Sequence, residues 1–423
     1  MRRPVILLLT AAMLLSVTSC TAGNTSNTEG TSAATETTTT ETEATTASES
    51  SETEDEASYV SSGYLEGLRI GDNNTFSNKD SKYGSIVKSI DDVLTLTKFE
   101  GSIMLATDDE IIYYGGTNAK TVDGDPVDPF TTYNIASCSK TFTACCIFQL
   151  IEQGKLSLDD TLDKYFPKYK AAKDVTIYDM LHNVSGIPDW MNEPDKFWVN
   201  LDSEEEYMQE WIKAQQDKYT DEEFLDVLYD APLMFEPKSQ YSYSNTNFRL
   251  LAMIVEQISG MRFCDYLKEN VFDKCGMEHS SSMKAADETS VPRSFDAIYK
   301  QGVVNSDGYY MEANSGRGEG GVHSCMADVL AFDKALFSGK LISYESLAKM
   351  MDWKFDYGCG LMNMGDNYYG HTGQVPCYRT FNVIFETKEY GKVYAICSTA
   401  AAADPIQQRA YNTITFVVGN TLG

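Results

Sequence analysis

Apolar residues recur at helical spacing where the ordered part of the chain begins, near residue 76, and they predict an opening helix. They are Ile86, Val87, Ile90, Val93 and Leu94. Two apolar runs follow, at residues 102–106 and 111–114, with four polar residues between them. Apolar runs of this length around a short polar turn predict a β-hairpin.

The rest of the chain contains segments with the helical period of apolar residues and segments with the strand pattern. Helical patterns are clearest at residues 140–153, 202–213, 248–258 and 405–418. Strand patterns cover residues 380–385 and 392–397. The helix at 140–153 ends at Gly154, a residue suited to the left-handed position after a helix. Strands at both ends with helices between them predict one discontinuous α/β (α+β) domain that carries a helical insertion.

The first twenty residues have the pattern of an export signal. Arg2 and Arg3 precede an apolar run over residues 5–15, which is too short to span a bilayer as a helix. The run leads to Val-Thr-Ser before Cys20, which resembles the bacterial lipoprotein signal, where this cysteine carries the lipid. An ordinary cleaved secretory peptide is the alternative. We therefore expect a protein outside the cytoplasm, bound to the bacterial cell membrane through the lipid only.

A long polar segment separates this signal from the folded part. Residues 21–75 are rich in Thr, Ser and Glu, and bury too little apolar surface to offset the entropy of ordering. We expect a disordered tether over residues 21–75 and one folded domain over residues 76–423. The formal net charge of the chain is −28, and an acidic surface of this strength repels phosphate backbones. A nucleic-acid partner is therefore not expected.

The cysteines and histidines predict neither disulfides nor a metal site. There are ten cysteines, so without Cys20 their number is odd, and Cys145 and Cys146 are adjacent within an apolar helical pattern. We expect buried thiols and no disulfide. The histidines are dispersed, with no partner at the spacing of metal ligands, so no metal and no cofactor are expected. They are His182, His279, His323 and His371.

Ser-x-x-Lys is the first motif with residue types suited to nucleophilic catalysis. It places a hydroxyl and an amine one helical turn apart, and a buried lysine can become neutral and act as the base. The pattern begins at four positions, which are Ser85, Ser137, Ser281 and Ser346. Only Ser137 and Lys140 head a strongly apolar helix, so they are the candidate nucleophile and base.

Two further motifs follow in the chain. Tyr243-Ser244-Asn245 offers a phenol for proton transfer and an amide for the lysine; the alternative is a turn with Asn245 capping the next helix. His371-Thr372-Gly373 comes just before a predicted strand, where a glycine would let substrate lie against the strand edge. For this motif, an ordinary turn at the start of a strand is the alternative.

With these motifs in this order, the sequence resembles the β-lactamase-related superfamily of serine hydrolases. That superfamily includes class C β-lactamases, D-alanyl-D-alanine carboxypeptidases, D-aminopeptidases and serine esterases. The likeness extends to residues 134–167, 176–188, 243–260 and 320–332, and covers about residues 95–400. It implies a β-lactamase/transpeptidase-like fold, with a mainly antiparallel sheet flanked by helices and an all-helical region.

The resemblance also implies a role for each motif residue. Ser137 would be the acylated nucleophile and Lys140 its base. Tyr243 would assist proton transfer, and Asn245 would orient Lys140 and the substrate. The backbone N–H groups of Ser137 and Gln374 would form the oxyanion hole. Catalysis and substrate binding at the last strand would involve His371, Thr372, Gly373 and Arg379.

The sequence departs from the family pattern near these motifs. The usual histidine falls on Asn183, while His182 occupies a threonine position and is expected to be structural. Cys377 replaces a frequent glycine. His371 stands where β-lactamases and carboxypeptidases usually carry lysine. An imidazole with a pKa of about 6.5 is cationic only at acidic pH, so we expect weak binding of carboxylates at neutral pH unless Arg379 supplies the charge.

The residues thus predict a serine hydrolase that acts through an acyl-enzyme. Its substrate would be a small molecule or a peptide, with D-amino-acid peptides or amides, esters and β-lactams all open, including peptides derived from peptidoglycan. The alternative is a penicillin-binding sensor that hydrolyses slowly or not at all, or a surface binding protein.

The lipoprotein signal leads to a direct test. Cys20→Ala should move the protein from the detergent phase to the aqueous phase, because no other stretch of the chain approaches membrane-spanning length. Phase partition of cell extracts followed by immunoblotting measures the shift. Ser19→Ala keeps the lipid acceptor and is the control. Wild-type protein in the aqueous phase would contradict the anchor.

Overall fold

The structure is a computed structural model of the chain. It describes residues 75–78, 80–117, 126–201, 219–282, 316–375, 378–400 and 405–423, with a few single positions between these ranges. The predicted export signal and nearly all of the predicted tether lie outside the described residues. Half of the residues of the helix predicted at 202–213 also lie outside them, and this helix stays a prediction.

A seven-stranded antiparallel sheet forms the centre of the described chain. Its strands, in spatial order, are β1 (Thr75–Ser77), β3 (Ile111–Thr117), β2 (Gly101–Ala106), β10 (Gly391–Thr399), β9 (Arg379–Thr387), β8 (Tyr368–Gln374) and β7 (Met362–Gly365). The N-terminal and C-terminal strands meet where β2 pairs with β10. One sheet is therefore built from both ends of the sequence.

Both faces of this sheet are covered, which explains the uninterrupted apolar runs of its central strands. In β2, Ile103 and Leu105 pack into a cluster with helices α1 (Gly84–Thr97) and α11 (Pro405–Leu422). Met104 and Ala106 belong to the larger cluster on the other face. Strands buried on both faces lose the alternation of polar and apolar residues. Full burial of each large aliphatic side chain contributes about 1.5–3 kcal/mol to stability.

The larger cluster is formed mainly by the helical region. Its helices are α2 (Ser139–Glu152), α3 (Ile177–Leu181), α4 (Pro194–Phe197), α5 (Asp221–Asp230), α6 (Asn245–Ser259), α7 (Phe263–Leu267), α8 (Asp273–Cys275), α9 (Met326–Phe337) and α10 (Tyr344–Met350). A small second sheet has the order β4 (Tyr133–Asn134), β6 (Val322–Ser324), β5 (Ser281–Ser282). Nearly every residue of α2 is buried, so α2 is central to this region.

The fold agrees with the expected antiparallel sheet flanked by helices. The opening helix, the hairpin, the helices at 140–153 and 248–258, the two C-terminal strands and the last helix are confirmed. The His371–Gly373 motif precedes the predicted strand, which is β9, but the motif itself lies within a strand that was not predicted, β8, and is not a turn. Glycines at positions 370 and 373 interrupt the apolar pattern of β8, and glycine has a low strand propensity, so periodicity does not reveal this strand.

The described residues contain eight cysteines, all of them free thiols. Cys145 and Cys146 are buried in α2, and burial raises the pKa of both thiols, which keeps them protonated. Within the described ranges, no helix combines the length and apolar character needed to cross a membrane. The same ranges contain no group of three or more His, Cys, Asp or Glu side chains able to hold a metal ion.

Candidate active site

Ser137 lies in a tight turn that leads into helix α2. The turn covers Ala136–Cys138 and has 3-10 geometry. Ala136 has a left-handed φ of 49°, which is unfavourable for a residue with a Cβ atom. Asn134 Oδ1 accepts the N–H of Ala136 at 2.8 Å and helps to hold this conformation. Ser137 is therefore presented on a constrained turn, partly exposed among buried neighbours.

Lys140 is buried one helical turn beyond Ser137. Its Nζ lies 3.2 Å from Ser137 Oγ, 2.7 Å from Asn245 Oδ1 and 2.6 Å from the carbonyl oxygen of Glu319. Burial lowers the pKa of Lys140 to about 7, although the nearby carboxylates of Glu319 and Asp189 raise it. About half of the Lys140 amines are therefore neutral near pH 7.

The contacts of Lys140 are suited to a neutral amine that acts as a base. A neutral amine has two N–H donors and one lone pair. The oxygens of Asn245 and Glu319 can only accept, so they take the two N–H groups. The lone pair is then left for the O–H group of Ser137, and this arrangement can remove the proton of Ser137.

Tyr243 and Asn245 reach Lys140 from the segment that begins helix α6. Burial raises the pKa of Tyr243 well above its ordinary value, while a side-chain hydrogen bond with Ser137 acts in the opposite direction. Lys140 Nζ lies 4.8 Å from the centre of the Tyr243 ring. A protonated phenol in this place can pass a proton between Ser137 and a leaving group. Asn245 is not a helix cap, because it is the first residue of α6 and Ser244 holds the cap position.

Asn183 anchors the Tyr243–Asn245 segment. Its Oδ1 accepts the backbone N–H of Ser244 at 3.1 Å and Nδ2 of Asn247 at 3.2 Å. The φ of Asn183 is 56°, in the left-handed region that asparagine adopts more readily than most residues. The departure from the family pattern at this position thus supplies a neutral hydrogen-bond acceptor.

Strand β8 approaches the turn that carries Ser137 so closely that only glycine fits at position 373. A Cβ atom on Gly373 would lie 2.1 Å from the carbonyl oxygen of Ile135 and 3.1 Å from the Cβ atom of Ala136. The close approach brings the end of β8, with Gln374, to the turn that carries Ser137. The oxyanion hole formed by the N–H groups of Ser137 and Gln374 stays a prediction. The side chain of Thr372 is exposed on this strand.

His371 does not provide the pH-dependent charge expected from an ordinary imidazole. Its ring is buried, with Nδ1 2.6 Å from the carbonyl oxygen of Thr372 and Nε2 3.1 Å from the hydroxyl of Tyr357. A carbonyl only accepts, so Nδ1 carries the proton and Nε2 accepts from Tyr357. Burial, with a smaller contribution from nearby Lys140, lowers the pKa of His371 to about 3. The expectation of a cationic His371 at mildly acidic pH is therefore wrong.

Arg379 and His182 are placed away from the contacts of Lys140. Arg379 is partly buried at the start of β9, where it pairs with Gln374 and interacts with Tyr411 of helix α11. Its role in substrate binding stays a prediction. His182 is buried, and each ring nitrogen lies 2.9 Å from a backbone carbonyl oxygen. These contacts fit the structural role expected for His182.

The other Ser-x-x-Lys matches do not form a comparable site. Lys88 and Lys349 are exposed, and each forms an ion pair with an acid on its own helix. Lys284 lies outside the described residues. Among the pairs that the structure describes, Ser137 and Lys140 are the pair with a buried amine.

Three residues complete the site without having been predicted from the sequence; they are Asp189, Glu319 and Tyr357. Asp189 and Glu319 directly adjoin the segments 176–188 and 320–332, whose likeness to the family was the available signal. Tyr357 has no such signal, because its contact with His371 depends on how a loop before β7 folds onto β8.

Comparison with known proteins decides the family. The sequence profile of the Beta-lactamase family matches residues 98–412. The chain belongs to the Beta-lactamase family. It is 28% identical over 310 residues to Penicillin-binding protein 4* of Bacillus subtilis (strain 168), a match that covers 68% of this chain and 65% of that protein.

Solved structures with the Beta-lactamase-family fold agree with this assignment. The D-amino acid amidase from Ochrobactrum anthropi SV3 matches with a TM-score of 0.60 at 23% identity, over 79% of this chain and 99% of that chain. The octameric penicillin-binding protein homologue from Pyrococcus abyssi matches with a TM-score of 0.59 at 24% identity, over 81% and 78%. The resemblance drawn from the three motifs is thus confirmed for the family and for the fold.

The pKa of Lys140 predicts how acylation of this Beta-lactamase-family member depends on pH. The amine accepts the proton of Ser137 only when it is neutral, so the acylation rate should rise through about pH 7. His371 stays neutral and should add no second transition between about pH 5 and 8. The second-order rate of labelling by a fluorophosphonate, measured across this range, tests both statements.

In that experiment Ser137→Ala protein gives the background labelling. His371→Gln should leave the midpoint of the pH profile within about half a unit of wild type, since a neutral ring is replaced by a neutral amide. A labelling rate that does not change with pH would show that Lys140 is not the base.

Proposed function

We propose that this protein is a serine hydrolase of the cell surface that forms an acyl-enzyme on Ser137. The observation that carries the proposal is the buried amine of Lys140, 3.2 Å from Ser137 Oγ. Its two N–H groups are taken by Asn245 and by the carbonyl of Glu319, which leaves the lone pair for the hydroxyl. A base of this kind activates a serine without a metal ion.

The reaction has two steps. Lys140 takes the proton of Ser137 while Oγ attacks the carbonyl carbon of the substrate, and the N–H groups of Ser137 and Gln374 stabilise the oxyanion. The bond to the leaving group breaks as Tyr243 gives it a proton and regains one from Lys140. Water then attacks the ester carbonyl and loses a proton to Lys140. The bond between the acyl carbon and Oγ breaks, Oγ takes the proton back from Lys140, and the carboxylic acid leaves with Ser137 restored.

The charges around Ser137 favour substrates without a free carboxylate. His371 is neutral, and two buried carboxylates, those of Asp189 and Glu319, act on the base. A carboxylate on the substrate would lose hydration without gaining a fixed positive partner from these groups. We therefore propose esters and D-amino-acid amides or peptides as substrates. A D-amino acid amidase among the solved structures of the same fold agrees with an amide substrate.

The proposed setting is the outer face of the bacterial membrane. It is supported by the likeness of residues 1–20 to a lipoprotein signal. D-amino-acid peptides from peptidoglycan would meet the enzyme there. A penicillin-binding sensor that acylates and then stalls uses the same residues, and the similarity to a penicillin-binding protein gives it support.

The nucleophile is tested by substitution. Ser137→Ala should lower hydrolysis of p-nitrophenyl acetate by at least about a thousandfold and remove fluorophosphonate labelling, because the attacking oxygen is lost. Ser346→Ala and Ser281→Ala, which alter other Ser-x-x-Lys matches, should retain wild-type rates. Full activity of folded Ser137→Ala protein would overturn the mechanism. Stoichiometric labelling of wild type without turnover would favour the sensor.

The neutral environment of Ser137 predicts a substrate preference. Acetyl-D-alanyl-D-alanine amide should have a kcat/KM at least about fivefold above that of the same peptide with a free carboxylate, a difference of roughly 1 kcal/mol. The two peptides differ only in this charge, and release of the C-terminal residue is measured by chromatography. Arg379→Ala should leave the ratio unchanged. Faster hydrolysis of the free acid, abolished by Arg379→Ala, would show that Arg379 binds the carboxylate.

A further inference from the structure

Asp189 is a buried carboxylate in direct contact with the amide of Asn245. Its Oδ2 accepts from Nδ2 of Asn245 at 2.9 Å and from Nδ2 of Asn192 at 2.6 Å. Its Oδ1 accepts the backbone N–H of Met191 at 2.8 Å. Hydrogen bonds to a charged acceptor are the stronger ones, and three of them hold this carboxylate in one orientation.

The backbone around Asp189 is tied to the start of helix α6. Thr246 Oγ1 donates to the carbonyl oxygen of Pro188 at 2.7 Å and accepts from the backbone N–H of Trp190 at 3.0 Å. Thr246 directly follows Asn245 in the chain. The side chain of Thr246 therefore ties the backbone on both sides of Asp189 to the start of helix α6, next to the Asn245–Asp189 contact.

The contact with Asp189 decides which end of the Asn245 amide faces Lys140. A carboxylate oxygen only accepts, so it holds the NH2 group of Asn245. The carbonyl oxygen of the amide is then turned to Lys140 Nζ, 2.7 Å away. The reversed amide would set its oxygen against the carboxylate and its N–H donors against the N–H groups of the amine.

We propose that Asp189 is a positioning residue for acylation, which keeps the carbonyl of Asn245 on Lys140 and so directs the lone pair of the amine at Ser137. The role rests on the proposed acyl-enzyme function. Asp189 acts through Asn245, and its hydrogen bonds go to Asn245, Asn192 and the backbone.

The charge of Asp189 gives this role a distinct signature. The carboxylates of Glu319 and Asp189 raise the pKa of Lys140 against the lowering effect of burial. The other groups that face the amine are Cys138, Tyr243 and His371. Burial raises the pKa of Asp189 itself above its ordinary value. With the carboxylate ionised, its loss should lower the pKa of Lys140 and move the acidic limb of the rate profile to lower pH.

The experiment compares wild type with Asp189→Asn in the full-length protein. The substitution keeps the size of the side chain, removes the charge and replaces one acceptor with a donor. We expect kcat for p-nitrophenyl acetate to fall about tenfold or more with little change in KM. We expect the acidic limb of kcat/KM to shift down by about half a pH unit or more.

Asp328→Asn is the matched control. Asp328 is also buried and accepts from the backbone N–H of His279 and from Ser280 Oγ, both at 2.8 Å, with no contact to Asn245. The Asp328→Asn substitution should leave the pH profile of kcat/KM unchanged. The folded, active fraction of each variant is titrated with a fluorophosphonate at about pH 8.5, where Lys140 is neutral.

A second variant separates position from charge. Asp189→Asn combined with Asn245→Asp returns a carboxylate to the pair, with an amide to donate to it. Its kcat should exceed that of Asp189→Asn, and its acidic limb should move above that of wild type, since the carboxylate now contacts Lys140 directly.

Several results would overturn the role of Asp189. If wild type is labelled at Ser137 and the Asp189→Asn enzyme has the same kcat and pH profile as wild type, the role of Asp189 is overturned and the proposed function stands. A loss of activity equal to the loss of folded protein, with the acidic limb in place, would also overturn it. Wild type without labelling at Ser137 would overturn both.

Discussion

The desolvated amine of Lys140 is the group on which the rest of the site depends. Holding an ammonium away from water costs several kcal/mol, and the lowered pKa of Lys140 shows that part of this cost is met by loss of the proton. Two fixed acceptors then orient the neutral amine. Burial thus makes a neutral amine available near pH 7, and the two acceptors leave its lone pair for Ser137.

This burial is a property of the whole fold. Helix α2 carries Lys140 into the larger core, and the turn before this helix presents Ser137. The start of helix α6 brings Asn245 to the amine, and strand β8 reaches the turn that carries Ser137 through the close contact at Gly373. The elements around Lys140 come from different parts of the chain. Its burial therefore depends on how these distant segments pack together.

The same low-polarity environment limits the chemistry at position 371. A histidine at this place could have acted as a titrating cation, yet its ring is enclosed between Tyr357 and a backbone carbonyl. Burial and the nearby amine disfavour a second positive charge. His371 therefore adds no second titrating group near neutral pH, and its ring contacts the hydroxyl of Tyr357.

The sequence alone determined most of the helices and strands of this protein and its candidate nucleophile. Helical and strand periods are set by neighbouring residues, so α2, α6 and the strand pair β9–β10 are readable from the chain, as is the Ser137–Lys140 pair at the head of α2. Strand β8 was not predicted, because its glycines interrupt the periodic pattern of apolar residues.

Only the tertiary structure decided the protonation of these groups and their partners. The pKa of Lys140 is lowered by burial and raised by Glu319 and Asp189, and the neutrality of His371 depends on its burial and on Lys140. None of these groups is close to its partner in the sequence. Desolvation and Coulomb interactions act through space, so they are fixed only when distant segments pack around one another.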